Sequence, residues 1–234
     1  MQFFTELIEA KLIKRYKRFL ADVILKDGSK ITVYCPNPGS LLGLTKIHTK
    51  IWLEKSKNTK SKYQYIWRLV ELKDGTLICI DTQMANKVIY ENLKIKKIPE
   101  FTKYDMIIPE PKIDDKSRLD FLLKSNNETS CFIEVKSVTL SRFPDISEFP
   151  DSITLRGSKH LSILDELKKK GIRAIQLYLI LRNDTNYFRI AEDIDKFYFK
   201  TFEIVKKSGV EIIVLQSDIS MDGIKLSKER PKLL

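Results

Sequence analysis

The sequence is poor in the residues that usually assign a protein at sight. Its 234 residues include two histidines and three cysteines, Cys35, Cys79 and Cys131. The cysteines lie far apart and form no C-x-x-C pair, so neither a zinc site nor a disulfide framework suits them. They are expected to be reduced and buried as small apolar side chains. No run of about 18 apolar residues occurs, which excludes a helix across a membrane. The start, Met1-Gln2-Phe3-Phe4-Thr5-Glu6, lacks the basic and apolar segments of a secretory signal, and a cytoplasmic location is expected. Internal repeats and low-complexity tracts are missing. So are Gly-rich phosphate loops, which leaves a sugar- or nucleotide-handling role with little support. No helix-turn-helix pattern is evident, so contacts to a nucleic-acid backbone are expected to outweigh base readout.

What is present is charge of one sign. The net charge is +11, and residues 1–85 hold 15 Lys and Arg against 8 Asp and Glu. A basic surface attracts polyanions by releasing their condensed counterions, without regard to sequence. Nucleic acid, single- or double-stranded, is therefore the expected partner, with DNA, RNA and a homodimeric state left open by charge alone.

The chain changes character near residue 83. Before it, short segments rich in β-branched residues alternate with polar breaks. Residues 7–13, 19–25, 31–35, 51–54, 62–72 and 76–80 read as strands. Asp27-Gly28 and Asp74-Gly75 mark tight hairpins. Five or six strands in so short a span suggest a small barrel. After residue 83 a helix (83–93) leads to three strands (104–108, 118–123, 131–138). An irregular stretch carrying Pro144 and Pro150 follows, then a helix (159–170), a buried strand (174–181), a helix (194–207) and a last strand (210–215). This mixed layer is expected to have its own core, which gives two domains, 1–82 and 83–234. The tail, 227–234, basic and carrying Pro231, is the one stretch that reads as disordered.

The informative segment is Cys131-Phe132-Ile133-Glu134-Val135-Lys136-Ser137-Val138. Strand side chains alternate, so Glu134 and Lys136 share one face and Ile133 and Val135 the other. A carboxylate and an ammonium inside an apolar strand cost free energy unless they meet partners. The preceding strand sets Asp120 inside Leu119-Asp120-Phe121-Leu122. Two carboxylates on neighbouring strands suit a hard cation, Mg²⁺ or Mn²⁺, which lowers the pKa of bound water and polarises a phosphoryl oxygen. Lys136 would orient that water or answer charge on the phosphate. The plainer alternative is an exposed Glu–Lys pair, with Asp120 answering Arg118.

Two further clusters are basic. Arg156, Lys159 and His160 fall near the expected start of a helix, where a phosphate is held well. Lys14-Arg15-Tyr16-Lys17-Arg18-Phe19 interleaves cations with aromatics, and Trp52, Tyr63, Tyr65 and Trp67 follow on later strands. Exposed aromatics beside a basic groove stack single-stranded bases, although core packing is the commoner fate of such residues.

Several motifs occur together in one order: Lys14-Arg15-Tyr16-Lys17-Arg18-Phe19-Leu20-Ala21-Asp22-Val23, Cys35-Pro36-Asn37-Pro38-Gly39-Ser40, Asp81-Thr82-Gln83-Met84-Ala85-Asn86, Ser117-Arg118-Leu119-Asp120-Phe121, Glu134-Val135-Lys136-Ser137-Val138-Thr139-Leu140, Phe149-Pro150-Asp151 and Arg156-Gly157-Ser158-Lys159-His160-Leu161. In these the chain resembles the sugar fermentation stimulation protein A family over nearly its whole length. The resemblance implies an N-terminal OB-like barrel and a C-terminal αβββαβ mixed-sheet domain similar to the PD-(D/E)XK nucleases. It also implies DNA binding with little sequence preference and a part in regulating sugar use. By position, Asp120 and Glu134 would be metal ligands and Lys136 the catalytic lysine, with Glu110 a less secure third carboxylate and Glu91 a weaker one. Arg15, Lys17, Arg18, Arg156, Lys159 and His160 would meet nucleic acid. The chain departs from the pattern at Leu155, where an acidic residue is expected, at Ser152, and in a long 141–148 segment. A shared fold does not decide between a deoxyribonuclease and a non-catalytic DNA-binding regulator of sugar metabolism.

Overall fold

The computed structural model describes residues 1–125 and 130–234. Its N-terminal part is a barrel of β1 (Ile8–Tyr16), β2 (Leu20–Leu25), β3 (Lys30–Tyr34), β4 (Lys50–Lys55) and β5 (Tyr65–Glu71), with β6 (Leu77–Cys79) added beside β5. The ring runs β1–β2–β3–β5–β4 and closes at one parallel step, Tyr34 against Ile66. Alternation drives it: in β1 Ala10 and Leu12 are buried while Lys11 between them is exposed. Leu12, Ala21, Val23, Val33, Leu53 and Trp67 fill the interior. Trp67 is thus core and not a stacking platform, and Trp52 donates its ring N–H to Glu71 at 2.8 Å.

The second part begins with α1 (Thr82–Lys94), followed by β7 (Met106–Pro109), a small hairpin of β8 (Lys112–Asp114) and β9 (Ser117–Arg118), β10 (Phe121–Lys124) and β11 (Ser130–Val138). Next come β12 (Leu140–Phe143), β13 (Asp145–Phe149), α2 (Leu155–Lys169), β14 (Arg173–Ile180), β15 (Thr185–Ile190) and α3 (Lys196–Lys207). The chain ends with β16 (Glu211–Ser220), β17 (Gly223–Leu226) and β18 (Lys232–Leu233). The main sheet runs β17-β16-β14-β11-β10-β7; β11, β14 and β16 are parallel, whereas β7, β10 and β11 alternate in direction. One face is covered by α1, whose Met84, Val88 and Ile89 pack with Ile133, Ile175 and Ile213. The other carries Leu161 and Leu164 of α2 and Phe202 of α3 against Ala174, Tyr178 and Val214. The fold is an OB-like barrel followed by an αβββαβ mixed-sheet layer, as the sequence predicts.

Three local expectations are corrected. The stretch read as irregular holds the β12–β13 hairpin, with Pro144 and Asp145 (φ 65°) at its tight turn. With β15 and β18 it forms a second sheet, so the C-terminal tail, expected to be disordered, is paired through β18. A proline at a turn corner marks the end of a strand as readily as a loop. The third concerns α2, which starts at Leu155, four residues early, because the Thr154 side chain caps it by accepting from the Gly157 N–H at 3.1 Å.

Barrel and layer meet at a buried ionic junction. Asp81 caps α1, accepting from the Gln83 N–H at 2.9 Å, and its other oxygen pairs with Arg68 of β5. Arg68 Nε donates to Glu54 of β4 at 2.8 Å, and all three side chains are buried. Apolar packing crosses the same junction, since Leu7, Leu69 and Cys79 join the cluster under α1. Arg68→Met would leave two carboxylates buried without their cation, which costs about 3–5 kcal/mol. Urea unfolding should register that loss, and a near-neutral result would mean that water reaches the junction.

Candidate active site

The site is built outward from β11. Ile133 and Val135 pack toward α1, so Glu134 and Lys136 emerge on the opposite face, toward α2. Glu134 is only 3% exposed. Its Oε1 accepts from Lys136 Nζ and from His160 Nδ1, each at 2.5 Å. Its Oε2 is buried and has no hydrogen-bond partner among the described residues. Burial pushes this carboxyl up, but the Lys136 ammonium and the His160 hydrogen bond outweigh burial and hold it below its ordinary value. On β14 the register partner of Glu134 is Gln176, whose side-chain amide donates to the Glu134 carbonyl at 3.2 Å.

Asp120 sits where the expected strand 118–123 breaks, between β9 and β10. One carboxylate oxygen accepts from Asn86 Nδ2 of α1 at 2.6 Å, the other from the Val135 N–H at 2.7 Å. Burial first, and then the charge of Glu134, push it up to about 6. One carboxylate is thus held ionised while its neighbour is inclined to take a proton. That imbalance is what an added cation would relieve.

These groups lie in a cleft of about 1560 Å³ between the barrel and the layer. Small-molecule pockets measure roughly 300–1,000 Å³, so this one has the size for part of a polymer. Barrel residues Lys14, Arg15 and Arg18 form one wall; Arg118, Arg156 and His160 stand opposite, with Asp120, Glu134 and Lys136 also lining it. One stretch of the boundary is tied. Ser40 donates to the Asp151 carbonyl at 2.5 Å, and the Leu41 N–H donates to the Asp151 carboxylate at 2.9 Å. Gly39 permits this approach, because a Cβ there would stand 2.5 Å from an Asp151 oxygen.

The expected residues divide. Asp120, Glu134 and Lys136 come together, and Glu110 stands at the rim, 75% exposed and 3.8 Å from Arg118. Glu91 is elsewhere, paired with the N-terminal ammonium at 2.8 Å. Lys17 and Lys159, expected at the nucleic acid, are exposed and do not line the cleft. Arg15 lines it, but its guanidinium is taken by the carbonyls of Arg18, Asn37 and Ser40, so it builds the wall. His160 is buried against Glu134. With its proton on Nδ1 it leaves Nε2 to accept from Arg156 Nε at 3.4 Å, making it a carboxylate holder rather than a free phosphate contact. Two site residues, Asn86 and Asp151, are not among those the sequence points to, although each lies within a motif shared with the family. On α1, Thr82, Gln83 and Asn86 form a polar stripe beside the apolar one, which is the signal that could have found Asn86.

Fold and site together define a two-part protein in which an OB barrel overhangs a buried carboxylate cleft on a mixed sheet. Two family models match the chain: "SfsA N-terminal OB domain" over residues 13–80 and "Sugar fermentation stimulation protein RE domain" over 83–223. The chain belongs to the sugar fermentation stimulation protein (SfsA) family. It is 44% identical to the sugar fermentation stimulation protein homolog of Ruegeria pomeroyi over 97% of this chain and 99% of that one. The homolog of Ruegeria sp. strain TM1040 is 45% identical, over 99% and 100%. Among solved structures, Pyrococcus furiosus SfsA in complex with Ca²⁺ superposes with a TM-score of 0.90 at 23% identity, covering 100% of this chain and 98% of that one, and shares the fold.

The raised Asp120 has a measurable consequence. Its ordinary value is 3.8 and its folded value about 6, so between those values the native state keeps a proton that the unfolded chain has lost. Stability contributed by the protonated form is therefore lost as pH rises from about 4 to about 6. In EDTA, the stability of Asp120→Asn relative to wild type should climb by about 2 kcal/mol across that window, and by about 3 kcal/mol from about pH 3 to about pH 7. Parallel urea curves at each pH would read it, and a constant difference would place Asp120 at an ordinary value.

Proposed function

We propose that the chain binds DNA with little sequence preference and hydrolyses phosphodiester bonds in this cleft. In this reading residues 1–82 form the nucleic-acid-binding domain and 83–234 the nuclease-like domain, acting in the cytoplasm. The observation that carries it is Glu134, buried yet ionised, with one oxygen unpartnered beside Asp120 and Lys136 in an open, basic-walled cleft. A net charge of +11 and an OB-type barrel supply the sequence-independent attraction.

The donor set fits a hard divalent ion such as Mg²⁺ or Mn²⁺. Mg²⁺ keeps several waters and is commonly bound through one or two carboxylates. Asp120 and Glu134 Oε2 would hold it, with Glu110 at the rim as a third donor. Among the described residues no three or more His, Cys, Asp and Glu side chains are already gathered to hold a metal ion, so water would complete the coordination. The solved structure of the Pyrococcus furiosus relative contains Ca²⁺, an ion of the same hard class. The ion would polarise a phosphoryl oxygen and make a bound water more acidic. The chain's own groups do the rest. Lys136 Nζ answers charge that develops on the phosphate. His160, steadied by Arg156, keeps Glu134 in place, while Arg18, Arg118 and Arg156 receive neighbouring phosphates.

A second reading, a non-catalytic DNA-binding regulator of sugar metabolism, is favoured by one detail. Lys136 and His160 both already occupy Oε1 of Glu134, so that oxygen needs no metal.

Cleavage of supercoiled, linear and single-stranded DNA with Mg²⁺, Mn²⁺ or EDTA separates the two. Metal-dependent cutting is expected, reduced at least about 100-fold in Glu134→Ala and in Lys136→Ala while binding persists. Binding without cutting under every condition would sink the nuclease reading and leave the regulator.

Affinity should also fall steeply with salt. Arg156→Ala is expected to weaken binding across all sequences and to lower the slope of log K against log salt by about one. An unchanged slope would take Arg156 off the phosphate path.

A further inference from the structure

The floor of the cleft is charged, but much of its mouth is apolar. On the layer side Ile153 is 73% exposed and Leu155 72% exposed. On the barrel side Ile47 is 56% exposed, and Ile13 and Tyr16 stand with it; all five line the cleft. Single exposed aliphatics are ordinary on a protein surface. Here five apolar or aromatic side chains, drawn from both the barrel and the layer, line one basic cleft, and two of them flank Thr154, the cap of α2.

The lip on the layer side is held stiffly. The Thr154 N–H donates to Asp195 at 2.8 Å, and the Thr154 hydroxyl oxygen accepts from the Gly157 N–H. Gly157 is required there, since a Cβ would stand 2.9 Å from the Thr154 side chain and 3.0 Å from Tyr198 of α3. The backbone on both sides of Thr154 is therefore fixed while Ile153 and Leu155 point their apolar surface at solvent.

Chemistry narrows what would cover them. Paired DNA presents phosphates, sugars and polar base edges, and its apolar base faces are stacked away inside. An unpaired strand presents both kinds of surface at once: phosphates for Arg18, Arg118 and Arg156, and free base faces for the lips. We infer that the cleft selects DNA whose bases are unpaired, with a base seated between the Ile153–Leu155 lip and Ile47. The inference deepens the function proposed above, because it rests on the cleft receiving DNA, but it does not depend on cleavage.

The test is binding in EDTA, which keeps it apart from catalysis. Fluorescence anisotropy would compare a labelled oligo-dT with a blunt duplex of the same length. The proteins are wild type, the double variant Ile153→Ser/Leu155→Ser, and Ile47→Ser, each checked for an unchanged melting temperature. These side chains are exposed, so their loss leaves the core intact. Wild type should prefer oligo-dT by about tenfold, and the double variant should lose about tenfold on oligo-dT while holding its duplex affinity. Ile47→Ser should show a smaller loss of the same kind. Equal affinity of wild type for the two DNAs, or equal losses on both in the double variant, would overturn the inference. Self-association of wild type without DNA that the double variant abolishes would also overturn it, by giving the lips to a second copy of the chain. Cutting that fails while the oligo-dT preference holds would remove the nuclease reading and leave this one standing; cutting with no preference would do the reverse.

Discussion

A carboxylate sealed into the middle of a mixed sheet is the constraint to which the rest of this site answers. Glu134 lies on β11 with the β14 ladder on one side and β10 on the other, at 3% exposure. An ionised carboxylate in that position is unfavourable unless cations and donors reach it. Lys136 reaches it from two residues along the same strand, and His160 from α2. Asp120 lies close enough to feel its charge and is itself steadied from α1 by Asn86. Elements on both faces of the sheet are thus committed to holding two like charges near each other. Folds do not keep such an arrangement for stability, since apolar residues of similar size would pack as well or better. Strain of this kind gathers at functional positions.

The barrel contributes by where it is anchored. Arg68 binds Glu54 within the barrel and Asp81 at the cap of α1, so the barrel wall and the helix that steadies Asp120 share one buried cation. Farther along, the 36–41 loop is laced to Asp151. Two motifs more than 100 positions apart in the chain, Cys35–Ser40 and Phe149–Asp151, are in contact in the fold. Each looks like an isolated loop until that contact is seen.

Much of this was legible in the sequence, and the parts that were not share a physical reason. Glu134 and Lys136 stood out because charge inside an apolar strand is costly and alternation puts positions i and i+2 on one face. The barrel was legible from its Asp-Gly turns and β-branched segments. Lys159 and His160 are neighbours in one motif, and the sequence does not say which of them turns inward. Successive residues on a helix diverge by about 100°, so His160 faces Glu134 while Lys159 beside it faces water. Arg15 was read as a free cation, and nothing in a sequence says that three backbone carbonyls will fold around a guanidinium. Trp67 lay on the ambiguous side of a real alternative, core or stacking surface, and packing settled it. The β12–β13 hairpin was hidden by its prolines, which punctuate strands as well as loops. Asp151 carries no periodic signal, and Asn86 only its place on the polar stripe of α1; the partners of both are set by tertiary contact.

The tie at Asp151 joins two bodies with different anchors. Leu41 buries its side chain in the barrel interior, so its amide travels with the barrel, whereas the carboxylate it binds follows Pro150 at the end of β13 in the other body. Whenever the jaws part, that amide must let go. Its deuterium uptake is therefore a built-in gauge of whether barrel and layer separate along the cleft, readable in the resting protein before any ligand is added.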